Sequence, residues 1–239
     1  SSMTKLSVNI NKIATLRNAR GGKFPCVLDA AIKCQEFGAD GITVHPRPDQ
    51  RHITREDTYH IKDLIKTEYN IEGYPSREFV DMVIDIKPDQ VTLVPDGPDV
   101  LTSCAGWDTL EYSQFLKDII LEFKKYNIRT SIFIDPELRM IQAAKLCGTE
   151  RIELYTEDYA INYKQDRKNA IKQYVLAADK ALELGIGVNA GHDLNLQNLK
   201  YFCENIKSLQ EVSIGHALIS DSLYFGLENT IQMYKRLLK

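Results

Sequence analysis

The feature that most constrains the fold of this chain is a regular alternation between short apolar runs and longer amphipathic segments. The apolar runs have the length and composition of buried strands: "LSVNIN", "GITVHP", "NIEGYP", "QVTLVP", "TSIFID", "RIELYT", "GIGVNAG" and "EVSIGHALI". Between them, apolar residues recur at helical spacing, as in "SREFVDMVIDIK" and "RKNAIKQYVLAADKALEL". Strands that are apolar almost throughout are typical of a parallel sheet covered by helices.

This pattern predicts a closed (β/α)8 TIM barrel, in a single domain that spans residues 1–239. Gly38, Gly148 and Gly185 each precede a strand and are expected to end helices, because glycine readily adopts the left-handed C-cap conformation. A doubly wound open sheet remains the alternative, because counting strands in one sequence is error-prone.

The composition narrows the classes of partner. A formal net charge of -3 and a pI near 6 offer no bulk attraction to nucleic acid or anionic membranes. No apolar run approaches the roughly 18–20 residues that span a bilayer. The five cysteines are widely spaced without a C-x-x-C pair, a usage typical of reduced thiols, so a cytoplasmic location is expected. Residues 1–3 are interpreted as a tag remnant plus the initiator methionine.

Histidines gather at the predicted strand ends, where (β/α)8 barrels carry their working groups. The chain has five histidines. His45, His192 and His216 lie directly at strand ends, and His52 follows in a strand-end loop, whereas His60 falls in a helical segment. A single histidine at a strand end is more often a satisfied polar residue than a catalyst. Four that converge on one barrel face favour a functional site.

Two glutamates interrupt apolar strands. A buried carboxylate is costly unless it is paired or used, so Glu72 in "NIEGYP" is a candidate base, with a structural ion pair to Lys or Arg as the alternative. Glu153 in "RIELYT" points either into the barrel or outward against a helix dipole or an arginine. The sequence leaves these two orientations open.

Arginines and a glycine at the same barrel face predict anion binding. Arg20 in "LRNARGG" and Arg47 in "HPRP" each supply a planar fork that binds phosphate. Gly215 and His216 follow the last strand, where barrels commonly hold phosphate. We therefore expect two anchors, Arg20 with Gly215–His216 and Arg47 with His52, which fit two phosphorylated substrates or one bisphosphate.

Two local expectations concern the loops and helix ends. "SDSLYFGL" is expected to open a helix, with Ser220 and Asp221 as capping residues. The irregular stretch 95–107 is rich in Asp, Gly, Pro and Ser and predicts a mobile lid that closes over substrate. Thr102 and Trp107 are the groups that this lid would dock.

Other chemistries find little support. Barrel metallohydrolases usually carry His-x-His on the first strand, where this chain has Asn9-x-Asn11, so no metal is predicted. A Schiff-base aldolase needs a lysine at a strand end, and only Lys12 is close. No G-x-G-x-x-G or P-loop occurs, so no nucleotide cofactor is expected.

At these residues the chain resembles the pyridoxine 5′-phosphate synthases, the bacterial enzymes that close the vitamin B6 ring. The matching stretches run from the first strand to the last: "VNINKIATLRNARGG", "GADGITVHPRPDQRHIT", "NIEGYP", "VTLVPD", "GIGVNAGHDL" and "VSIGHALI". The resemblance implies a barrel that assembles as a homo-octamer. It also implies that 3-amino-2-oxopropyl phosphate condenses with 1-deoxy-D-xylulose 5-phosphate without a metal or organic cofactor, releasing phosphate and water.

The resemblance also implies roles for individual residues. His45 and Glu72 would accept protons, His192 would donate one, and Glu153 would stabilise a transition state. The other implied residues bind substrate: Asn9, Arg20, Gly215 and His216 hold the aminoketone phosphate, and Arg47, His52 and Thr102 hold the deoxyxylulose phosphate.

The chain departs from the family pattern in two places. Many members read Asp-His where this chain has Asn11-Lys12, and Gly where it has Asp193. No role is carried onto these positions. Another phosphosugar barrel, or a non-catalytic barrel that senses a phosphorylated metabolite, remains an alternative function.

Overall fold

The computed structural model describes residues 3–96 and 105–238. Eight parallel strands pair in chain order and close into a barrel, with β8 hydrogen-bonded to β1. The predicted (β/α)8 barrel is confirmed, and the open-sheet alternative is wrong. The strands are β1 Lys5–Asn9, β2 Gly41–Val44, β3 Glu68–Gly73, β4 Gln90–Leu93, β5 Arg129–Ile134, β6 Arg151–Tyr155, β7 Gly187–Gly191 and β8 Leu209–Ile214.

Helices surround this barrel. In the described ranges they are α1 Asn11–Arg20, α2 Val27–Glu36, α3 Arg55–Lys62, α4 Arg77–Ile86, α5 Ser113–Lys124, α6 Leu138–Cys147, α7 Glu157–Glu183, α8 Leu199–Asn205, α9 His216–Phe225 and α10 Leu227–Arg236. The longest, α7, contains one non-helical residue, Asp166. Within residues 3–96 and 105–238, no helix has the length and apolar character to cross a membrane.

Helix α4 shows why these segments fold as they do. Its N-cap, Ser76, accepts a hydrogen bond from the Phe79 backbone N–H, which satisfies one of the free donors of the first turn. Its apolar residues fall on one face and are buried: Phe79, Val80, Met82, Val83 and Ile86. Burial of such a face against the strands supplies most of the stability of a helix of this length.

Glycines end helices as the sequence predicts. Gly148 caps α6 in the left-handed conformation at φ 79°, and its N–H donates to the carbonyl oxygen of Lys145. Gly38 and Gly185 also have positive φ, at 112° and 75°. These turns return the chain to the start of the next strand, which places every strand's carboxyl end at the same mouth of the barrel.

Two predicted boundaries are wrong. Strand β1 ends at Asn9, so Asn11 opens α1 instead of continuing the strand. Helix α9 begins at His216, directly after Gly215, so Ser220 and Asp221 lie inside the helix and do not cap it. Asp221 instead accepts a hydrogen bond from the Tyr234 hydroxyl at 2.8 Å, which ties α9 to α10. Asp221, which the sequence suggested as a helix-capping residue, therefore makes a tertiary contact instead.

The predicted lid lies largely outside the described residues, and Thr102 lies outside them too. Trp107, at the end of this segment, is described and is only 3% exposed. Its indole N–H donates to the Leu93 carbonyl oxygen at 2.9 Å, and its ring contacts Tyr74, Tyr112 and Phe115. Trp107 is therefore packed in the core, as expected of a docking group, and the lid itself stays a prediction.

Candidate active site

The carboxyl ends of the strands enclose an open cavity of about 620 Å³. Groups from six strand ends and the loops that follow them form its wall. The lining residues are Asn9, Asn11, Lys12, His45, Arg47, Arg51, His52, Glu72, Tyr155, Glu157, His192, Asp193, Asn195, Ser213, Gly215, His216 and Ala217. The predicted gathering of histidines at this mouth is confirmed, because the cavity includes His45, His52, His192 and His216.

Two asparagines connect the ends of β1, β2 and β3. The Asn9 side chain accepts a hydrogen bond from the Asn11 backbone N–H at 2.9 Å and donates one to Glu72 Oε1 at 3.3 Å. Asn11 Oδ1 in turn accepts from the backbone N–H of His45 at 2.9 Å. The two candidate proton acceptors, His45 and Glu72, are thus held by one short chain of hydrogen bonds.

Glu72 is buried, with 2% of its surface exposed, yet its carboxylate reaches the cavity. Among the described residues, neither Lys nor Arg forms an ion pair with it, so the ion-pair alternative has no support. Burial, followed by the negative charge of Glu211, raises the pKa of Glu72 to about 7. A carboxyl group with this pKa can accept and return a proton near neutral pH.

The imidazole of His45 lies on the basic side of the cavity. Burial, followed by the positive field of His52 and Arg47, lowers the pKa of His45 to about 3. Burial and the charges of Arg47 and Lys12 lower the pKa of His52 to about 4. Both rings are therefore neutral at physiological pH and can accept a proton or hold a phosphate through a ring N–H.

Glu153 points into the barrel, beneath His192, which decides between the two orientations that the sequence left open. One carboxylate oxygen, Oε2, lies 3.6 Å from His192 Nδ1. This oxygen is buried without a hydrogen-bond partner in the described structure. Burial, reinforced by the charges of Glu72 and Glu211, raises the pKa of Glu153 well above its usual value. Its surroundings therefore favour the protonated form of Glu153, next to His192.

The His192 ring is held in place from two directions. It packs edge-on against Phe133, with ring centroids 5.1 Å apart, and against Tyr155 at 6.4 Å. Its backbone has φ 70°, a left-handed conformation that costs a non-glycine residue on the order of 1 kcal/mol. Partial burial lowers the pKa of His192, whose side chain is still 40% exposed at the mouth. His192 therefore separates the buried Glu153 from the open cavity.

Gly215 and His216 form the anion-binding side of the cavity. Gly215 precedes the first residue of α9, so free backbone N–H groups of this helix face the strand ends. A Cβ atom on Gly215 would lie 3.0 Å from Asn9 Cβ and 3.1 Å from Asn9 Cγ. Glycine avoids this crowding against β1 and leaves the backbone accessible at this point.

The structure does not bring every candidate into the cavity. Arg20 is the last residue of α1 and is exposed to solvent, and it is not among the residues that line the cavity. The expected pairing of Arg20 with Gly215–His216 is therefore not seen within the described chain. Arg47 and His52 do lie together on the opposite wall.

Sequence reasoning missed several lining residues. Tyr155 is the last residue of β6 and Glu157 opens α7, and the Tyr155 hydroxyl donates to the Glu157 carboxylate. Their position at the end of a strand was the signal that could have identified them. Glu211 was also missed: it is 4% exposed, accepts hydrogen bonds from Gln90 and Asn189, and acts on the carboxylates above it only through tertiary proximity.

A second, smaller cavity of about 310 Å³ adjoins the first one at His45 and Arg47. It extends toward α4 and is lined in part by Tyr74, Phe79 and Met82.

Within residues 3–96 and 105–238, no group of three or more His, Cys, Asp or Glu side chains is arranged to hold a metal ion. The absence of a metal requirement stays a prediction.

The closed (β/α)8 barrel carries imidazoles, carboxylates and a helix N-terminus at the carboxyl ends of its strands. This is the architecture of a barrel enzyme. Residues 6–239 match the family described as "Pyridoxal phosphate biosynthesis protein PdxJ", and the chain belongs to this family.

Related proteins of high identity agree with this assignment. A Bacteroides fragilis protein named pyridoxine 5′-phosphate synthase is 60% identical over 237 residues, which cover 99% of this chain and 100% of the relative. A Flavobacterium johnsoniae protein of the same name is 59% identical with the same coverage.

Among solved structures, 3-keto-L-gulonate-6-phosphate decarboxylase from Vibrio cholerae has a TM-score of 0.67 at 8% identity, covering 99% of this chain and 98% of that one. Phosphoribosylanthranilate isomerase from Thermotoga maritima has a TM-score of 0.61 at 14% identity, with the same coverage. These two likenesses concern the fold alone.

Proposed function

We propose that this protein is a pyridoxine 5′-phosphate synthase, which condenses 3-amino-2-oxopropyl phosphate with 1-deoxy-D-xylulose 5-phosphate to give pyridoxine 5′-phosphate, phosphate and water. The observation that carries the proposal is the meeting of His45, Glu72 and His192 with Gly215–His216 in one cavity, in a chain of the PdxJ family. Ring closure requires an amine–ketone condensation, several proton transfers and the loss of a phosphate.

Glu72 and His45 take the role of proton acceptors in this proposal. The pKa of Glu72, about 7, lets the carboxylate remove a proton from a carbon next to a carbonyl group and return it in a later step. His45 lines the same cavity, and its ring is neutral before it accepts a proton. The hydrogen bonds through Asn9 and Asn11 keep the two acceptors together.

His192 and Glu153 supply protons to leaving oxygen atoms. In its protonated form, which burial favours, Glu153 can donate a hydrogen bond to His192 Nδ1 after a small adjustment from the present 3.6 Å. His192 then offers a proton to the substrate from its other ring nitrogen, and Glu153 replenishes it. This arrangement explains how an imidazole with a lowered pKa can act as a proton donor.

The substrates are held by their phosphates at opposite walls. The aminoketone phosphate binds at Gly215 and His216, with Asn9 nearby and Arg20 as a further implied partner. The deoxyxylulose phosphate binds at Arg47 and His52, with Thr102 as the implied partner. The basic charges around His52 support this second site, because they lower the pKa of its ring and attract an anion.

Three further parts of the proposal concern the whole enzyme. The reaction uses protein acids and bases without a metal or an organic cofactor. The protein works in the cytoplasm as a homo-octamer, as the family resemblance implies. Exposed apolar side chains support self-association, among them Tyr224 at 85% and Leu223 at 75% exposure, because such groups are commonly covered in an assembly.

The test is to supply the purified protein with both substrates and to detect pyridoxine 5′-phosphate by mass. Formation of product by the parent protein, and its loss in Glu72→Gln, is the expected result. Tight binding of either substrate without product would favour a metabolite sensor. Trapping of substrate on Lys12 by borohydride would favour an aldolase of the Schiff-base type.

A further inference from the structure

Helix α1 contacts both ends of the loop that carries the basic side of the cavity. This loop, residues 45–54, joins β2 to α3 and is called the basic loop because it contains His45, Arg47, Arg51 and His52. Loops of this kind are usually the most mobile part of a barrel mouth, yet this one holds groups that must stay in register with Glu72. Helix α1 is the adjacent element that can hold it.

At the first end of the loop, Asn11 fixes the backbone of His45. Asn11 Oδ1 accepts the His45 N–H at 2.9 Å, and the Asn11 backbone N–H is itself held by Asn9 Oδ1 at 2.9 Å. Asn9 also contacts Glu72. The side-chain amide of Asn11 therefore links the backbone of His45 to the residue that contacts the Glu72 carboxylate. No role was assigned to Asn11 by family resemblance.

At the second end, Arg17 and Asn18 fix the backbone of His52. The Arg17 guanidinium donates to the His52 carbonyl oxygen at 3.1 Å and makes a bidentate pair with Asp57, both contacts at 2.9 Å. Asn18 Nδ2 donates to the same His52 carbonyl oxygen at 3.0 Å. Both members of the Arg17–Asp57 pair are only 13% exposed, so this is not a loosely solvated surface pair.

Asp57 extends this attachment into α3. Its carboxylate accepts the Thr54 N–H at 2.9 Å while the Thr54 side chain accepts the Asp57 N–H at 3.0 Å, which forms a capping box at the start of α3. Arg17 therefore anchors the end of the basic loop and the beginning of the helix that follows it. Neither Arg17 nor Asp57 lines the cavity.

We infer that α1 is the template of the basic loop, with Asn11 and Arg17 as positioning residues that act at different steps of the reaction. Asn11 orients His45 against Glu72 and thereby supports proton transfer. Arg17 orients His52 and its neighbours and thereby supports binding of the phosphosugar. The inference rests on the proposed function, because the two steps are those of that reaction.

The two residues are expected to separate turnover from binding. Misplacing a reacting group by about 1 Å can cost on the order of 100-fold in rate. Asn11→Ala is therefore expected to lower kcat by about 10- to 100-fold, with KM values for both substrates within about 3-fold of the parent. Arg17→Met keeps the apolar stem but removes the fork, and is expected to raise KM for 1-deoxy-D-xylulose 5-phosphate about 10-fold, with kcat little changed.

The experiment measures kcat and both KM values for the parent, Asn11→Ala, Asn11→Asp and Arg17→Met, together with their thermal midpoints. Asn11→Asp keeps an oxygen that can accept the His45 N–H and is expected to stay within about 5-fold of the parent. Two controls sit away from the cavity: Asn205→Ala removes a different asparagine bond to the backbone, which Asn205 Nδ2 donates to the Tyr201 carbonyl oxygen, and Arg77→Met removes the bidentate pair with Glu122. Both controls are expected to match the parent kinetics.

A parent that makes no product rejects the proposed function. An active parent with an Asn11→Ala variant of unchanged kcat, or an Arg17→Met variant of unchanged KM, overturns the template inference alone. Should Asn11→Ala not fold, Asn11→Ser replaces it, since serine suits the first turn of a helix but is too short to reach His45. A loss that Asn11→Asp fails to rescue would also count against the positioning role.

Discussion

At the scale of single residues, Glu72 is a feature of the sequence, a carboxylate in an apolar strand, that has a direct role in the proposed acid–base chemistry. It stands in an apolar strand, is buried, and still reaches the cavity. We expect Glu72→Gln to lower turnover by on the order of 100- to 10,000-fold with little change in substrate affinity, because glutamine keeps the shape of the side chain but cannot accept a proton. Steady-state kinetics of product formation measure this. Turnover within a few-fold of the parent would transfer the role of base to His45 or Glu153.

The same residue is expected to make stability depend on pH. The folded-state pKa of about 7 lies above the value of an unfolded glutamate, so the buried carboxyl is tolerated at low pH and destabilises the fold as pH rises through 7. Glu72→Gln removes this dependence. From pH 5 to pH 8, the free energy of unfolding of Glu72→Gln relative to that of the parent should increase by on the order of 2–3 kcal/mol.

Chemical denaturation at the two pH values measures this difference. Glu36→Gln, at an exposed position of α2, is the control and should show no such gain. A constant difference between Glu72→Gln and the parent at both pH values would mean that Glu72 is ionised in the folded protein throughout.

At the scale of elements, strands β3, β6 and β8 place three carboxylates inside one barrel. Removing the charge of Glu211 should lower the pKa of Glu72, because Glu211 raises it and the deprotonated form of Glu72 would no longer be repelled. We therefore expect Glu211→Gln to shift the acidic limb of kcat/KM to lower pH. A pH–rate profile measured beside that of Glu36→Gln checks this, and an unmoved limb would show that another group sets it.

Helix α9 provides the second prediction at this scale. A methyl group on Gly215 would press against Asn9 and cover the backbone at the start of the helix. Gly215→Ala should therefore raise KM for the aminoketone phosphate by about 10-fold or more. Ser220→Ala is the control within the same helix, since Ser220 lies inside α9 and not at its cap. Similar kinetics for the two variants would indicate that Gly215 serves only the turn.

At the scale of the whole molecule, the barrel gathers enough acids and bases to conduct the proposed reaction with protein groups alone. We expect chelators such as EDTA to leave turnover unchanged, because His45, Glu72 and His192 supply the required proton transfers. Activity measured after prolonged dialysis against EDTA checks this. Loss of turnover that zinc or magnesium restores would require a metal in the mechanism.

From the amino-acid sequence alone, the fold class and most residues of the candidate site could be predicted. Apolar runs in alternation with amphipathic helices specify a covered parallel sheet, and polar residues at strand ends stand out because burial without a partner is costly. His45, Glu72, His192 and Gly215 could be found in this way. The resemblance to a known family then implied a role in a reaction for each of these positions.

How these groups act on one another could not be predicted from the sequence and follows from the closed barrel. Three features depend on contacts between residues far apart in the chain. They are the orientation of Glu153 toward His192, the effect of the Glu211 charge on the pKa of Glu72, and the hydrogen bond from the His45 backbone N–H to Asn11. Strand periodicity limits a side chain to two faces but does not state which charges meet on a face. pKa values and hydrogen bonds follow from distances and burial, and these exist only once the barrel has closed.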